Sequence, residues 1–99
     1  MLYVIIGRDG PDSLAIRRRV RPEHLARAQA LVDSGRMVVA GPLPAIDSPD
    51  PGPAGFTGSL IVAEFASLND AEAWIAEDPY VTEGVFSSYE VRPFLKVLP

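Results

Sequence analysis

The sequence contains one histidine, His24, whose side chain is the one best suited to proton transfer near neutral pH. A carboxylate beside an imidazole orients its tautomer and stabilises its protonated form, which is the core of many acid–base sites. Asp78 is the carboxylate that the local sequence holds most firmly. In Asp78-Pro79 the Asp can cap a helical turn and Pro79 can begin it, while Gly84 ends it. We therefore predict that His24 is a general base or acid and that Asp78 is its orienting partner.

Both residues also have a structural interpretation. His24 falls within the apolar face of a predicted helix, where a histidine is more often a core residue with a satisfied hydrogen bond. Asp78 alone could act purely as a helix cap. Asp9, Asp12 and Glu64 are alternative partners for His24. The decision depends on which of these residues the fold brings together.

Composition narrows the class of protein. The 99 residues predict a single domain over residues 1–99, and 47% hydrophobic with 22% charged residues indicates a globular chain. A net charge of −4 argues against nucleic-acid binding, which needs an excess of Lys and Arg. The first apolar run is short and lacks a basic lead, so neither a signal peptide nor a membrane span is expected. A cytoplasmic location follows by default.

Motifs for metals and cofactors are missing from the sequence. There is no cysteine, no histidine pair or carboxylate cluster at metal-ligand spacing, and no glycine-rich phosphate loop. We therefore predict no metal site and no cofactor. The expected partner is a small-molecule ligand or substrate.

The element order predicts an α+β fold. Strands are expected at residues 2–7, 37–40, 60–65 and 86–93. A short helix at 14–20 should break at Pro22, a longer helix should follow at 22–34, and a further helix should begin after the Ser67 cap. This βαββαβ order predicts a ferredoxin-like antiparallel sheet with both helices on one face. The first and third strands, apolar on both sides, should be central, and the last strand should be an edge.

The sheet surface without helices is also predicted to be apolar, formed by Tyr3, Ile5 and Ile61 or by their neighbours. An apolar face of this kind is usually covered by a partner. We therefore predict a homodimer with its sheets face to face.

The topology brings one end of each helix together. The start of the first helix lies beside the end of the second, so His24 and Asp78 should come within hydrogen-bond distance at a pocket mouth. Strand ends and loops converge there as well, although Arg17 with its neighbouring arginines also fits a solvated face and Phe86 also fits a core. The Pro-rich segment 43–58 is predicted to be a long loop near this mouth. The residues predicted to bind substrate are Asp9, Arg17, Gly41, Pro42, Ser59, Tyr80 and Phe86.

A series of short motifs runs through nearly the whole chain and resembles the YciI-like (YCII-related) family. The motifs are Arg8-Asp9, Pro11-Asp12-Ser13-Leu14-Ala15, Arg21-Pro22-Glu23-His24-Leu25, Gly41-Pro42-Leu43, Gly58-Ser59-Leu60, Asp78-Pro79-Tyr80 and Val91-Arg92-Pro93-Phe94. The resemblance implies a dimeric α+β barrel and an active site built on a His–Asp pair, which falls on His24 and Asp78. A related member eliminates chloride from a chlorinated hydroxyquinol, which implies proton-transfer or elimination chemistry on small aromatic or enol-like molecules.

Three functions remain open from the sequence. The preferred one is a cofactor-independent enzyme of lyase or isomerase type that uses His–Asp acid–base chemistry. The second is a protein that binds a small ligand without catalysis. The third is a cofactor-free monooxygenase of a related dimeric barrel fold, which would act on an oxidisable aromatic substrate.

Overall fold

The chain folds in the predicted order of strand, helix, strand, strand, helix and strand. The computed structural model describes residues 1–99. Its elements are β1 (Leu2–Asp9), α1 (Ser13–Asp33), β2 (Met37–Pro44), a short 3₁₀ turn (Gly52–Ala54), β3 (Phe56–Glu64), α2 (Leu68–Ala76), α3 (Pro79–Thr82) and β4 (Phe86–Phe94).

The four strands form one antiparallel sheet in the order β2-β3-β1-β4. Ile5 of β1 lies between Ile61 of β3 and Val91 of β4 in register. The helices cover one face of the sheet, so the predicted ferredoxin-like α+β fold is confirmed. The prediction that β1 and β3 are central and that β4 is an edge is also confirmed.

Alternation along β1 separates a covered face from an open face. Tyr3 and Ile5 point towards the helices and are buried, whereas Leu2, Val4 and Ile6 point the other way and are half-buried. The second apolar face is therefore made by the neighbours of the predicted residues. The core lies between sheet and helices and comprises Tyr3, Ile5, Val20, Leu31, Ile61, Ala63, Phe65, Ala71, Ile75, Tyr80, Val85 and Phe86.

The predicted break at Pro22 is wrong, because α1 is one helix of 21 residues with Pro22 inside it. An internal proline costs about 3 kcal/mol through a lost backbone hydrogen bond and a steric clash. Pro22 is exposed, while Val20 and His24 beside it are buried against the rest of the domain. Packing on both sides of the proline outweighs its local cost, and the helix continues.

The predicted ends of β2 and β3 are also wrong. β2 continues through Gly41 and Pro42 to Pro44, and β3 already begins at Phe56. Proline is tolerated here because β2 is an edge strand, where a missing N–H costs no ladder bond. The predicted loop 43–58 is thus reduced to residues 45–55, and the longer pairing places Pro42 opposite Ser59.

The predicted starts of α2 after Ser67 and of α3 after Asp78 are confirmed, unlike the start predicted at Pro22. Ser67 Oγ accepts a hydrogen bond from the backbone N–H of Asp70 at 3.1 Å, and α2 begins directly after this cap. Gly84 has a φ of 83°, which lets the chain turn after α3 and enter β4. None of the helices combines the length and the apolar character that crossing a bilayer requires.

Candidate functional site

Asp78 is held in place by the local sequence. It ends the stretch between α2 and α3, and its Oδ1 accepts a hydrogen bond from the backbone N–H of Tyr80 at 2.9 Å. Pro79 occupies the first helical position, as predicted. The residue is completely buried. The three consecutive residues Asp78, Pro79 and Tyr80 therefore orient its carboxylate locally.

His24 meets this carboxylate. Its Nδ1 lies 2.9 Å from Asp78 Oδ1, so the expected contact is present. A carboxylate oxygen that already accepts from a backbone N–H acts as an acceptor here too, so Nδ1 carries the proton. The neutral ring then has its lone pair on Nε2, which makes no hydrogen bond within the chain and is not sealed from solvent. The arrangement leaves Nε2 free to accept a proton.

Arg27 is a second partner of the same carboxylate. Its Nη1 donates to Asp78 Oδ2 at 2.8 Å and its Nη2 donates to the Trp74 carbonyl at 2.8 Å. The guanidinium also lies over the Trp74 ring, 4.4 Å from its centroid. Asp78 thus accepts three hydrogen bonds, which satisfies a buried carboxylate.

Tyr80 packs directly on the imidazole. The two rings are parallel, with centroids 3.8 Å apart, and the Phe86 ring packs against Tyr80 at nearly a right angle. Burial raises the pKa of the Tyr80 hydroxyl, and this outweighs the lowering by the Arg17 and Arg21 charges. Tyr80 is therefore a neutral phenol at physiological pH. It fixes the plane of the His24 ring and keeps a hydroxyl proton to donate.

Arg17 forms a second buried network beside the first. Its Nε and Nη2 bind the two carboxylate oxygens of Asp9 at 2.7 and 2.8 Å, a bidentate pair. Nη2 also lies 2.9 Å from both the Gly58 carbonyl oxygen and Ser59 Oγ. Ser13 Oγ donates to Asp9 at 2.7 Å, so this serine holds the carboxylate and does not cap α1.

A cavity of about 170 Å³ opens beside His24 between α1, β2 and β3. Polar groups and small or aliphatic side chains share its wall: Arg17, Arg21, His24, Leu25, Ala28, Ala40, Gly41, Pro42, Ser59, Ile61 and Tyr80. Two of the cations near this site are paired with carboxylates, Arg17 with Asp9 and Arg27 with Asp78. Arg21 forms no ion pair within the chain. The cavity therefore carries one uncompensated positive charge.

Most residues predicted to bind substrate line this cavity, namely Arg17, Gly41, Pro42, Ser59 and Tyr80. Asp9 and Phe86 do not.

Asp9 lies behind Arg17, and Phe86 lies behind Tyr80 in the core. The alternative partners of His24 are also resolved: Asp9 binds Arg17, while neither Asp12 nor Glu64 forms a hydrogen bond with the imidazole. No three His, Asp or Glu side chains come together as a metal ion would require.

Sequence reasoning missed Arg21 and Arg27. Arg21 precedes His24 by three residues, and Arg27 follows it by three. Intervals of four, three and four residues separate Arg17, Arg21, His24 and Ala28. This is the spacing of one helix face, so a signal for Arg21 was present, whereas Arg27 lies outside this series. The signal was hidden because a break at Pro22 was expected between Arg21 and His24.

Comparison with known proteins agrees with the fold and the residues described above. The YCII-related domain matches residues 1–95. Protein YciI of Escherichia coli O6:H1 is 59% identical over 97 residues, which cover 98% of this chain and 99% of that protein. A protein of Haemophilus influenzae is 48% identical over 97 residues, with the same coverage of 98% and 99%.

A solved structure is also similar. It is 5-chloro-2-hydroxyhydroquinone dehydrochlorinase (TftG) from Burkholderia phenoliruptrix AC1100 in complex with 2,5-dihydroxybenzoquinone. The TM-score is 0.82 and the identity 29%, over 96% of this chain and 94% of that one. On the match over residues 1–95 and the 59% identity over nearly the full length, this chain belongs to the YCII-related family.

Proposed function

We propose that this protein is an enzyme that moves a proton on a small molecule, with His24 Nε2 as the base and Asp78 as its orienting partner. The supporting observation is the 2.9 Å contact between Nδ1 and the buried carboxylate, with Nε2 left free beside a cavity. A structural histidine would normally use both ring nitrogens or turn the second one into the core. Here the side chain is 10% exposed and lines the cavity.

The reaction needs only groups that this chain supplies. Nε2 takes a proton from a C–H or O–H bond of the substrate, and the electron pair of that bond stays on the substrate as an enolate-like anion. Asp78 stabilises the imidazolium that forms. In an isomerisation the proton returns to another substrate atom. In an elimination the electron pair expels a leaving group as an anion, and the imidazolium releases its proton to solvent.

The likeness to TftG supports the lyase or isomerase type. TftG is a dehydrochlorinase, and loss of HCl combines removal of a proton with departure of chloride. At 29% identity and a TM-score of 0.82, the likeness extends over 96% of this chain. The proposal for this chain is the chemical step, proton abstraction from a small aromatic or enol-like molecule without a cofactor.

The test is turnover by the His24→Ala and Asp78→Asn variants. Chloride release from 5-chloro-2-hydroxyhydroquinone and deuterium incorporation into small enols would be measured for each. Loss of a general acid–base group should reduce kcat by roughly 10²- to 10⁴-fold. Asp78→Asn should keep most of the helix cap, because Asn caps nearly as well as Asp. Asp70→Asn, an exposed position in the first turn of α2, is the matched control.

Three results would decide between the candidate functions. Full turnover in His24→Ala would exclude the catalytic role. Tight binding of these molecules by the wild type without any turnover would indicate a ligand-binding protein. Oxygen uptake with quinol substrates would instead indicate a monooxygenase.

We further infer that the protein is a homodimer that covers the open face of the sheet. Val4 and Ile6 point to this face from the central strand, and Val39 on β2 is 51% exposed there. A second copy would remove these side chains from water, and a stable interface would bury at least about 1,200 Å² in total.

A further inference from the structure

The cavity wall changes character along α1. The helix rises about 1.5 Å per residue, so Arg21 and Ala28 lie about 10 Å apart along its axis, with His24 between them. Across the cavity, Ser59 belongs to the arginine end, since Arg17 donates to its hydroxyl at 2.9 Å. Ile61 lies two residues, or about 7 Å, further along β3. One end of the cavity is therefore polar and cationic, and the other is apolar.

The two arginines at the polar end, Arg17 and Arg21, differ in whether they are free to bind a ligand. Arg17 is 5% exposed and its charge is matched by the bidentate Asp9 carboxylate. Arg21 is exposed, lines the same cavity and has no carboxylate partner in the chain. A guanidinium with free N–H groups at a concave site is a ready binding group for a carboxylate or an enolate.

We propose that the cavity selects a small monoanion with an apolar body, and that Arg21 is the residue that selects the negative charge. The anionic group lies at the Arg21 end, and the apolar part extends towards Ala28 and Ile61. The substrate atom that gives up its proton is then beside His24. This proposal identifies the class of ligand that the proposed enzyme binds. Only the position of the reacting atom beside His24 rests on the proposed function.

The Tyr80 hydroxyl fits the same ligand. It lines the cavity beside the Arg17 guanidinium, which acts on its oxygen as a donor and leaves the hydroxyl proton available to a ligand. As a neutral phenol it donates a hydrogen bond to an anion without bringing a second negative charge. A cationic ligand would face Arg21 with no free carboxylate to receive it, because Asp9 and Asp78 are both occupied.

The test measures binding of inert probes of one shape and different charge. Benzoate, benzamide and benzylammonium would be titrated into the wild type, Arg21→Met and Arg18→Met by calorimetry. The matched control, Arg18, is an exposed arginine of α1 that neither lines the cavity nor forms an ion pair. We expect the wild type to prefer benzoate and Arg21→Met to bind it about 10-fold more weakly, as loss of one charge-assisted hydrogen bond implies.

Arg18→Met should bind benzoate as the wild type does, and Arg21→Met should bind benzamide unchanged. Arg21→Lys, which keeps the charge, should keep the preference for benzoate. Equal affinity of the wild type for benzoate and benzamide, or no benzoate binding at millimolar concentration, would overturn the proposal. Because the probes do not react, the two proposals fail separately. Loss of charge selection with His24-dependent turnover intact would overturn only the role of Arg21. Charge selection without His24-dependent turnover would overturn only the catalytic role.

Discussion

The contact between Arg27 and Asp78 makes a sharp thermodynamic prediction. Asp78 is fully buried, and the Arg27 side chain is 26% exposed. Arg27 binds Oδ2 of the carboxylate, whereas His24 binds Oδ1. Arg27→Met removes the charge and keeps an apolar stem over Trp74. Asp78→Asn removes the other charge and keeps the side-chain volume. The two single variants and the double variant form a cycle that isolates this one interaction.

The magnitude follows from the contacts. A hydrogen bond to a charged group contributes about 1.5–3 kcal/mol, and removal of one partner leaves the other buried and incompletely paired. We expect each single variant to lose about 2–3 kcal/mol of the free energy of unfolding. The double variant leaves no unpaired charge, so it should lose about 1–3 kcal/mol less than the two single losses added. In a domain of this size each kcal/mol corresponds to about 4–8 °C in Tm.

Urea unfolding at one protein concentration is the appropriate assay, since stability depends on concentration for any chain that associates. Arg36→Met is the matched control. Arg36 also lies over an aromatic ring, at 5.2 Å from Phe65, and also donates to a backbone carbonyl, but it has no carboxylate partner. The loss in free energy of unfolding caused by Arg36→Met should add to the loss caused by Asp78→Asn. Additivity of Arg27→Met and Asp78→Asn within about 0.5 kcal/mol would refute the coupling.

Three further predictions concern assembly, backbone packing and pH. Val39→Glu on the open sheet face should convert the dimer to monomers, as measured by sedimentation. The control is Val32→Glu on α1, which should leave the dimer intact, since Val32 is 49% exposed and Val39 is 51% exposed. A dimer that survives Val39→Glu would contradict the proposed interface. Gly58→Ala should destabilise the fold by about 1–3 kcal/mol in urea unfolding, because its Cβ would overlap a backbone carbonyl oxygen of β1, while Gly41→Ala has open space and should cost little. Burial raises the pKa of the Tyr80 hydroxyl in the folded protein above its unfolded value of 10.0. The contribution of the neutral phenol to stability is therefore fully present below pH 10 and is lost as the pH rises through the folded-state pKa. Tyr80→Phe should reduce this loss of stability when unfolding is measured from pH 9 to 12.

The parts of the site that could be predicted are those that depend on few neighbouring residues. A cap needs only Asp78, Pro79 and the turn that follows, so the position of the carboxylate could be derived from one short stretch. The element order then placed His24 beside it, because βαββαβ chains bring those helix ends together. The contact follows from topology and needs no knowledge of the packing.

The parts that could not be predicted depend on tertiary contacts. Pro22 breaks an isolated helix, but here buried residues before and after it hold one helix together. The ends of β2 and β3 depend on pairing with each other, and a proline at an edge cannot be told from a proline in a loop by its sequence alone. The partnership of Arg27 with Asp78 joins residues 51 positions apart, and no local pattern signals it.

The strand order has a consequence for synthesis on the ribosome. β1 is central, yet one of its two neighbours is β4, which is made last of the four strands of this sheet. After residue 64 has emerged, β1 can pair with β3 while its other edge remains unpaired, and it stays so until residue 94 follows. At roughly 5–20 residues per second, that interval lasts about 2–6 s. During it an apolar strand presents free N–H and C=O groups to other nascent chains. Asp78 and Tyr80 emerge about halfway through this interval, so the emerging chain first passes through a state in which His24 still lacks its carboxylate.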